Sequence, residues 1–291
     1  MYLSSYSIYQ RRCFKYFMKL GSAISLFSSC GEQRYQKMKA CGFDYADVGI
    51  SGELDGKSEQ EYEKRWLDEK LLAQEAGVTI GQVHGPWRYP PHDETTELRA
   101  ERADVMRRSI RVTGMLGCRF WVIHPIMPYG PDSDFDTKRF WSINYDFFTA
   151  LLPTARENKV TICFENMPMK NLSISTPEKT LEFVSLMDDE HFQFCLDTGH
   201  CAVFGIQPAD AARMAGDRLK VMHVHDNRGK RDEHLLPYTG IIDWADYRLA
   251  LAEIGYNGVF SLENGWNECL PNAPMKVKFE CLAAVAKQLV Q

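Results

Sequence analysis

The sequence predicts a single (β/α)8 barrel, a TIM barrel, an α/β fold of eight strands each followed by a helix. Three observations predict it. Apolar runs of strand length alternate with longer amphipathic stretches over nearly the whole chain, the pattern of parallel strands joined by helical crossovers. No linker, low-complexity tract or internal repeat divides the 291 residues, a length that one large barrel fills. Finally, strand after strand ends on a His, Asp or Glu, at the end where this architecture gathers its functional groups.

From Met18 the elements follow in order. Residues 19–25 read as the first strand and 30–41 as its helix; 45–50 and 59–76 make the second pair, closed by Gly77. Residues 78–84 and about 93–116 make the third, and 120–124 with a long helix over 137–158 the fourth. The fifth strand is 160–165, and Thr176-Pro177-Glu178 starts its helix with a capping threonine and a proline at the first helical position. Residues 192–197 form the sixth strand, with a short helix from Pro208; 219–225 and 243–254 form the seventh pair. The eighth strand is 258–263, and a helix over 275–289 closes the chain. Asp243 reads as the cap and Trp244 as the packing residue of the helix they begin. Glu59 to Glu69 reads as the solvated face of a helix.

Composition narrows the function classes. At 45% hydrophobic and 25% charged residues the chain is ordinary globular protein. A net charge of -5 gives no basic footprint for nucleic acid. Nine cysteines without a C-x-x-C pair, several inside apolar runs (Cys118, Cys163, Cys195), read as buried reduced thiols of a cytoplasmic protein. No apolar stretch reaches membrane-spanning length. Residues 1–17 read as a disordered extension, with 18–291 as the barrel. Arg11-Arg12-Cys13-Phe14-Lys15 followed by an apolar-leaning segment up to Cys30 has a faint lipoprotein-signal look. Lys19 interrupts it, and cleavage at Cys30 would remove the first strand.

The site begins at Cys195-Leu196-Asp197-Thr198-Gly199-His200, where a buried strand delivers a carboxylate, then a glycine turn, then a histidine. The other strand ends add His84, His124, Glu165, His223, His225 and Glu263, and the loops add Asp232 and His234. Any one of these is explained by a cap or a core hydrogen bond. The set is not, because buried carboxylates facing one another repel and lose hydration unless a cation joins them.

From Met18 to its end the chain resembles the xylose-isomerase-like barrel superfamily of sugar (phosphate) isomerases and epimerases. The motifs that carry the resemblance are His84-Gly85-Pro86, Ile123-His124-Pro125, Phe164-Glu165-Asn166, Leu196-Asp197-Thr198-Gly199-His200, His223-Val224-His225-Asp226-Asn227, Gly240-Ile241-Ile242-Asp243-Trp244 and Leu262-Glu263-Asn264. In the epimerase branch, four groups matching Glu165, Asp197, His223 and Glu263 hold the metal. The resemblance, not the spacing, selects His223 over His225. Such a mostly oxygen site suits Mn²⁺, Mg²⁺ or Co²⁺, with Zn²⁺ if there is more than one site. The resemblance implies a sugar or cyclitol substrate and proton abstraction beside a carbonyl through a metal-stabilised enediolate. Glu165 and Glu263 would remove and return the proton. His200 and Arg228 are candidate partners of substrate hydroxyls. Trp87, in Trp87-Arg88-Tyr89-Pro90-Pro91, would close over the mouth and stack on a ring.

A rival comes from the same superfamily. Its apurinic/apyrimidinic endonuclease branch holds three zinc ions with nine ligands, and His84, His124, Glu165, Asp197, His200, His223, Asp232, His234 and Glu263 match them. Against a DNA enzyme stand the negative charge, the absence of a Lys/Arg stripe and a segment after Glu165 (Met167-Pro168-Met169-Lys170-Asn171-Leu172) without that branch's glycine-rich run. Inosose dehydration is a second alternative for the same metal and base. The expectation is therefore a small-molecule enzyme with no nucleic-acid or membrane partner, and with homo-oligomerisation left open.

Overall fold

Parallel hydrogen bonding joins eight strands edge to edge in the computed structural model, which describes residues 18–88, 90–130 and 134–289. The extension expected at 1–17 lies outside the described residues. The strands are β1 (Lys19–Ala23), β2 (Tyr45–Gly49), β3 (Thr79–His84), β4 (Phe120–Ile123), β5 (Thr161–Glu165), β6 (Phe192–Asp197), β7 (Leu219–His223) and β8 (Val259–Leu262). From β1 to β7 each strand pairs with its neighbours in sequence, and β1 also pairs with β8, which leaves a gap between β7 and β8. The remaining gap is bridged where the Val224 amide donates to the Ser261 carbonyl at 2.8 Å and the Glu263 amide donates to the Val224 carbonyl at 3.0 Å. The strands thus form a (β/α)8 barrel.

Helices occupy the crossovers: α1 (Arg34–Ala40), α2 (Glu59–Glu75), α3 (Thr96–Met115), α4 (Thr137–Thr149), α5 (Leu152–Glu157), α6 (Pro177–Met187), α7 (Thr198–Val203), α8 (Pro208–Ala215), α9 (Trp244–Glu253), α10 (Trp266–Cys269) and α11 (Met275–Leu289). Their starts follow the expected chemistry. Ser58 and Glu61 form a reciprocal capping box on α2, Thr176 caps α6 ahead of Pro177, and Asp243 accepts two amides at the start of α9. Three expectations are corrected. The long helix over 137–158 is two helices, because Pro153 in the first turn of α5 cannot donate an amide and would crowd the carbonyl four residues earlier. The helix expected over 30–41 begins at Arg34, after a 3-10 segment, Ile24–Gln33. The turn expected at Thr198–Gly199 is the first turn of α7, capped by Asp197.

Two apolar compartments hold the barrel. Between sheet and helices, Phe164 lies 4.9 Å from Phe183, 5.0 Å from Phe148 and 5.2 Å from Phe192, centroid to centroid. Inside the barrel, Val122, Cys163, Cys195 and Val221 form a separate buried cluster from four successive strands. Strand side chains repeat on one face every second residue. His124, Glu165, Asp197 and His223, each two positions further on, therefore stand one layer above that cluster. The apolar layer is the floor of the site. Its thiols are inert there, with burial raising the Cys163 and Cys195 pKa values above the ordinary thiol range.

Deleting residues 1–29 removes β1 from between β2 and β8 and exposes two sheet edges. The expected outcome is insoluble protein. A soluble, cooperatively melting 30–291 fragment would contradict the assignment of β1.

Candidate metal centre

The upper interior layer brings together the four residues expected as ligands. Glu165 ends β5, Asp197 ends β6, His223 ends β7 and Glu263 follows β8. One donor atom from each lies within 4.8 Å of the others. The His223 Nδ1 faces Glu165 Oε1 at 2.9 Å and Glu263 Oε2 at 3.3 Å. Glu165, Asp197 and His223 are buried, whereas the Glu263 side chain retains 27% of its exposure and faces the mouth.

The other candidates flank this group on two sides. On one side His124 Nε2 is 3.0 Å and His84 Nε2 3.8 Å from Glu165 Oε2. On the other, Asp232 Oδ2 receives His234 Nε2 at 3.0 Å and His200 Nε2 at 3.3 Å. These groups line a cavity of about 240 Å³, walled also by Trp87 and by Met167 to Met169. Trp87 packs edge-on against His124 at 4.6 Å and is 42% exposed. Arg228 is not part of the cluster: its guanidinium pairs with Glu233 Oε1 at 2.8 Å and points into an exposed loop.

Four polar residues besides the four expected ligands hold those side chains and their strand ends in place. Asn166 clamps the ends of β5 and β6, its Oδ1 accepting the Asp197 amide at 2.8 Å and its amide donating to the Asp197 carbonyl at 3.1 Å. Asp47, buried on β2, faces His223 Nε2 at 3.1 Å and accepts from Gln82 Nε2 at 2.9 Å. His225 Nε2 lies 3.0 Å from Asp197 Oδ2. The signal for Asp47 was a lone acid inside the short strand Tyr45-Ala46-Asp47-Val48-Gly49. The His225 ring explains Gly199, since a Cβ there would meet ring atoms at 1.9 Å.

The electrostatics fit a cation. Burial opposes ionisation of Glu165, yet His223 and His124 hold its carboxyl well below the usual range. Burial likewise opposes ionisation of Asp197, and His200 and His225 lower it nonetheless. Burial would lower the His223 pKa, but Glu165 and Glu263 raise it well above that of a free imidazole. Without a metal, protons on imidazoles carry the balancing charge. Glu165 Oε2 has no aligned hydrogen bond among the described residues although it is buried among polar groups, so its lone pairs are available to a ligand. Carboxylates from three strands with an imidazole match the oxygen-rich donor sets of divalent first-row metals or magnesium.

A family model described as xylose isomerase-like TIM barrel matches residues 35–284. The D-psicose 3-epimerase of Ruminiclostridium cellulolyticum is 25% identical over 201 residues, covering 67% of this chain and 66% of that enzyme. The chain spans just under two thirds of the length of the first curated relatives it matches. The L-ribulose-5-phosphate 3-epimerase of Escherichia coli is 23% identical over 248 residues, covering 82% of this chain and 83% of its own. A solved D-psicose 3-epimerase with D-tagatose, from Clostridium cellulolyticum H10, superposes with a TM-score of 0.77 over 94% of this chain and 100% of that one, at 20% identity. That likeness is one of fold.

Two measurements check the geometry. Gly199→Ala drives a methyl into the His225 ring and should cost about 1–3 kcal/mol, read as a lowered melting temperature that His225→Ala restores in the double variant. The second is pH dependence of the metal-free protein. Against burial, Asp197 and Asp232 push the His200 pKa up to about 10, and Asp232 and Glu263 push that of His234 up to about 10. Their contribution is complete below the ordinary value of 6.5 and is lost as pH rises through 10. Glu165 and Asp197, held low, contribute above the ordinary carboxylate range and lose that contribution on acidification. The chelated protein should therefore lose melting temperature steadily between pH 6.5 and 10. Its metal affinity should rise over the same interval, as protons cease to compete.

Proposed function

This chain belongs to the xylose isomerase-like TIM barrel family, and from that premise we propose that it is a divalent-metal-dependent epimerase or isomerase of sugars or sugar phosphates. The observation that carries the reading is the convergence of Glu165, Asp197, His223 and Glu263 within 4.8 Å at the carboxyl end of the barrel. Epimerases among its relatives support the reaction class. The four residues would hold Mn²⁺, Mg²⁺ or Co²⁺, and the bound cation supplies Lewis-acid polarisation of a substrate carbonyl.

The remaining work falls to the protein's own groups. Glu165 and Glu263 reach the cavity from β5 and β8 and are the proton-transfer pair. One carboxylate takes the proton from the carbon beside the carbonyl, and the other returns one to the opposite face of that carbon, which is epimerisation. Return to the neighbouring carbon is isomerisation. The contact of His124 with Glu165 Oε2 fixes the carboxylate that must move a proton. His200 and His234 hold Asp232 between them through Nε2, with their Nδ1 atoms turned to the Asn166 and Glu263 carbonyls. Asp232 Oδ1, left without an aligned hydrogen bond among the described residues, would accept from a substrate hydroxyl, and Trp87 forms part of the cavity wall.

A second reading has its own observation: the flanking groups around Glu165 and Asp232 match the ligand pairs of a three-zinc phosphodiesterase. The two readings make opposite demands. Epimerisation exchanges a substrate carbon-bound hydrogen with solvent, whereas phosphodiester hydrolysis needs no carbon acid. In D₂O, the metal-loaded protein should introduce deuterium beside the carbonyl of one member of a panel of ketoses, ketose phosphates and inosose. Glu263→Gln should stop it. Incision of abasic-site duplex DNA, with no deuterium entering any ketose, would establish the phosphodiesterase instead; water loss from inosose would establish the dehydratase.

Metal dependence has a separate test. Asp197→Asn should weaken metal binding by at least about 100-fold, measured by calorimetry. A cation held at about 1,000 times its dissociation constant stabilises the fold by about 4 kcal/mol. Chelation should accordingly lower the melting temperature by roughly 8–16 °C. Equal melting of stripped and loaded protein, with normal binding by Asp197→Asn, would contradict the four-ligand site.

A further inference from the structure

A second cavity opens off the first and is the larger of the two. It holds about 640 Å³, against about 240 Å³ beside the flanking histidines. The two share His84, Trp87 and Glu263 as common wall. Sites for small organic ligands run to about 300–1,000 Å³, so the inner cavity alone is small and the pair together is generous. The outer cavity runs between the 3-10 segment after β1 and the outer face of α2, ending at Arg34, Arg65 and Glu69.

We propose that this outer compartment is a subsite for a second sugar unit, so that the substrate is a ketose carrying a glycosidic substituent at the end remote from its carbonyl. The proposal rests on the epimerase reading above and names the substrate class that its site takes. The cation site and proton-transfer pair engage the carbon atoms at and beside the carbonyl, leaving the rest of the substrate to leave past Trp87 into the larger space.

The far wall offers both donors and acceptors to hydroxyl groups. Arg34 donates to Glu69 Oε1 at 3.2 Å and to the Gly31 carbonyl at 2.9 Å, and the Tyr35 hydroxyl donates to Glu69 Oε1 at 2.6 Å. The guanidinium is thus neutralised by a fixed carboxylate, and the pair keeps 21% and 17% of its side-chain exposure. Arg65 lies over the Trp66 ring at 5.1 Å. Glu69 matches Arg34, and Arg65 is held over the Trp66 ring, so the far wall carries one guanidinium beyond its carboxylate, a charge that the phosphate probe below tests. Fixed donors beside fixed acceptors, with the exposed Ser25 and Ser28 hydroxyls opposite, present the alternating polarity that a polyhydroxyl ring satisfies.

The test uses the full-length protein loaded with Mn²⁺ and three probes: D-fructose, isomaltulose (fructose bearing glucose on its terminal carbon) and D-fructose 6-phosphate. Deuterium exchange beside the carbonyl reports turnover, and calorimetry reports binding independently. The expected result is a kcat/KM for isomaltulose at least tenfold above that for D-fructose, with the gain mainly in KM. Arg65→Ala, and Ser28→Trp which fills the compartment, should each reduce isomaltulose binding at least fivefold more than D-fructose binding. Both side chains are exposed, so the folded state tolerates the changes. Equal affinity for isomaltulose and D-fructose overturns the subsite, as does tighter binding of D-fructose 6-phosphate that is lost in Arg65→Ala. Absence of exchange with all three probes counts against the epimerase reading, and calorimetry alone then decides the subsite by the same criteria.

Discussion

Buried like charge is the constraint on which the rest of this structure depends. Glu165 and Asp197 end adjacent strands in a fully buried layer, and Glu263 closes on them from across the barrel. Taking an ionised carboxylate out of water costs several kcal/mol even after the surroundings relax. Such an arrangement persists only when positive charge is delivered to it. The protein supplies it through His223 beside Glu165 and through His200 and His234 around Asp197 and Asp232, whose imidazole pKa values the carboxylates raise against burial. The same charge balance is what a divalent cation would complete, and binding one would link metal, proton and fold in a single equilibrium.

The scaffold makes this tolerable through layering. An inert floor of Val122, Cys163, Cys195 and Val221 excludes water from below, and the polar layer above it is held by short-range clamps. Asn166 ties the backbone of β6 to the end of β5 through paired hydrogen bonds. Asp226 accepts from the Gly240 amide and from Trp244 Nε1. It thereby fixes the long loop after β7 that carries Asp232 and His234. A few tenths of an ångström at these clamps would be felt directly at the ligand atoms, because strands in a closed barrel have little freedom to slide.

Around this centre the cavity is asymmetric. On the β4–β7 side it is narrow and rich in histidine, and on the β1–β2 side it widens into a largely apolar cleft with Arg34, Arg65 and Glu69 at its far end. On the proposed reading, chemistry and substrate selection would fall to different strands, in keeping with the way barrels of this kind vary loops around a constant rim.

The sequence alone determined the alternation of eight strands with helices, and it put His84, His124, Glu165, Asp197, His223 and Glu263 at or just beyond strand ends. It could do so because burial of both faces writes strands as apolar runs, and a single polar residue at the end of such a run stands out. Helix starts were equally legible at Thr176 and Asp243, since capping is local chemistry. Tertiary structure decided what depends on contacts between distant segments. It made α7 from an expected turn, paired Asp47 of β2 with His223 of β7, and set His225 against Asp197 over a Gly199 that admits no side chain. It also took Arg228 out of the site by pairing it with Glu233, and opened the cleft between β1 and α2. Spacing along a chain fixes which face a residue takes. Which partner it meets there depends on closure of the barrel, which brings β8 to β1 across about 240 residues of chain.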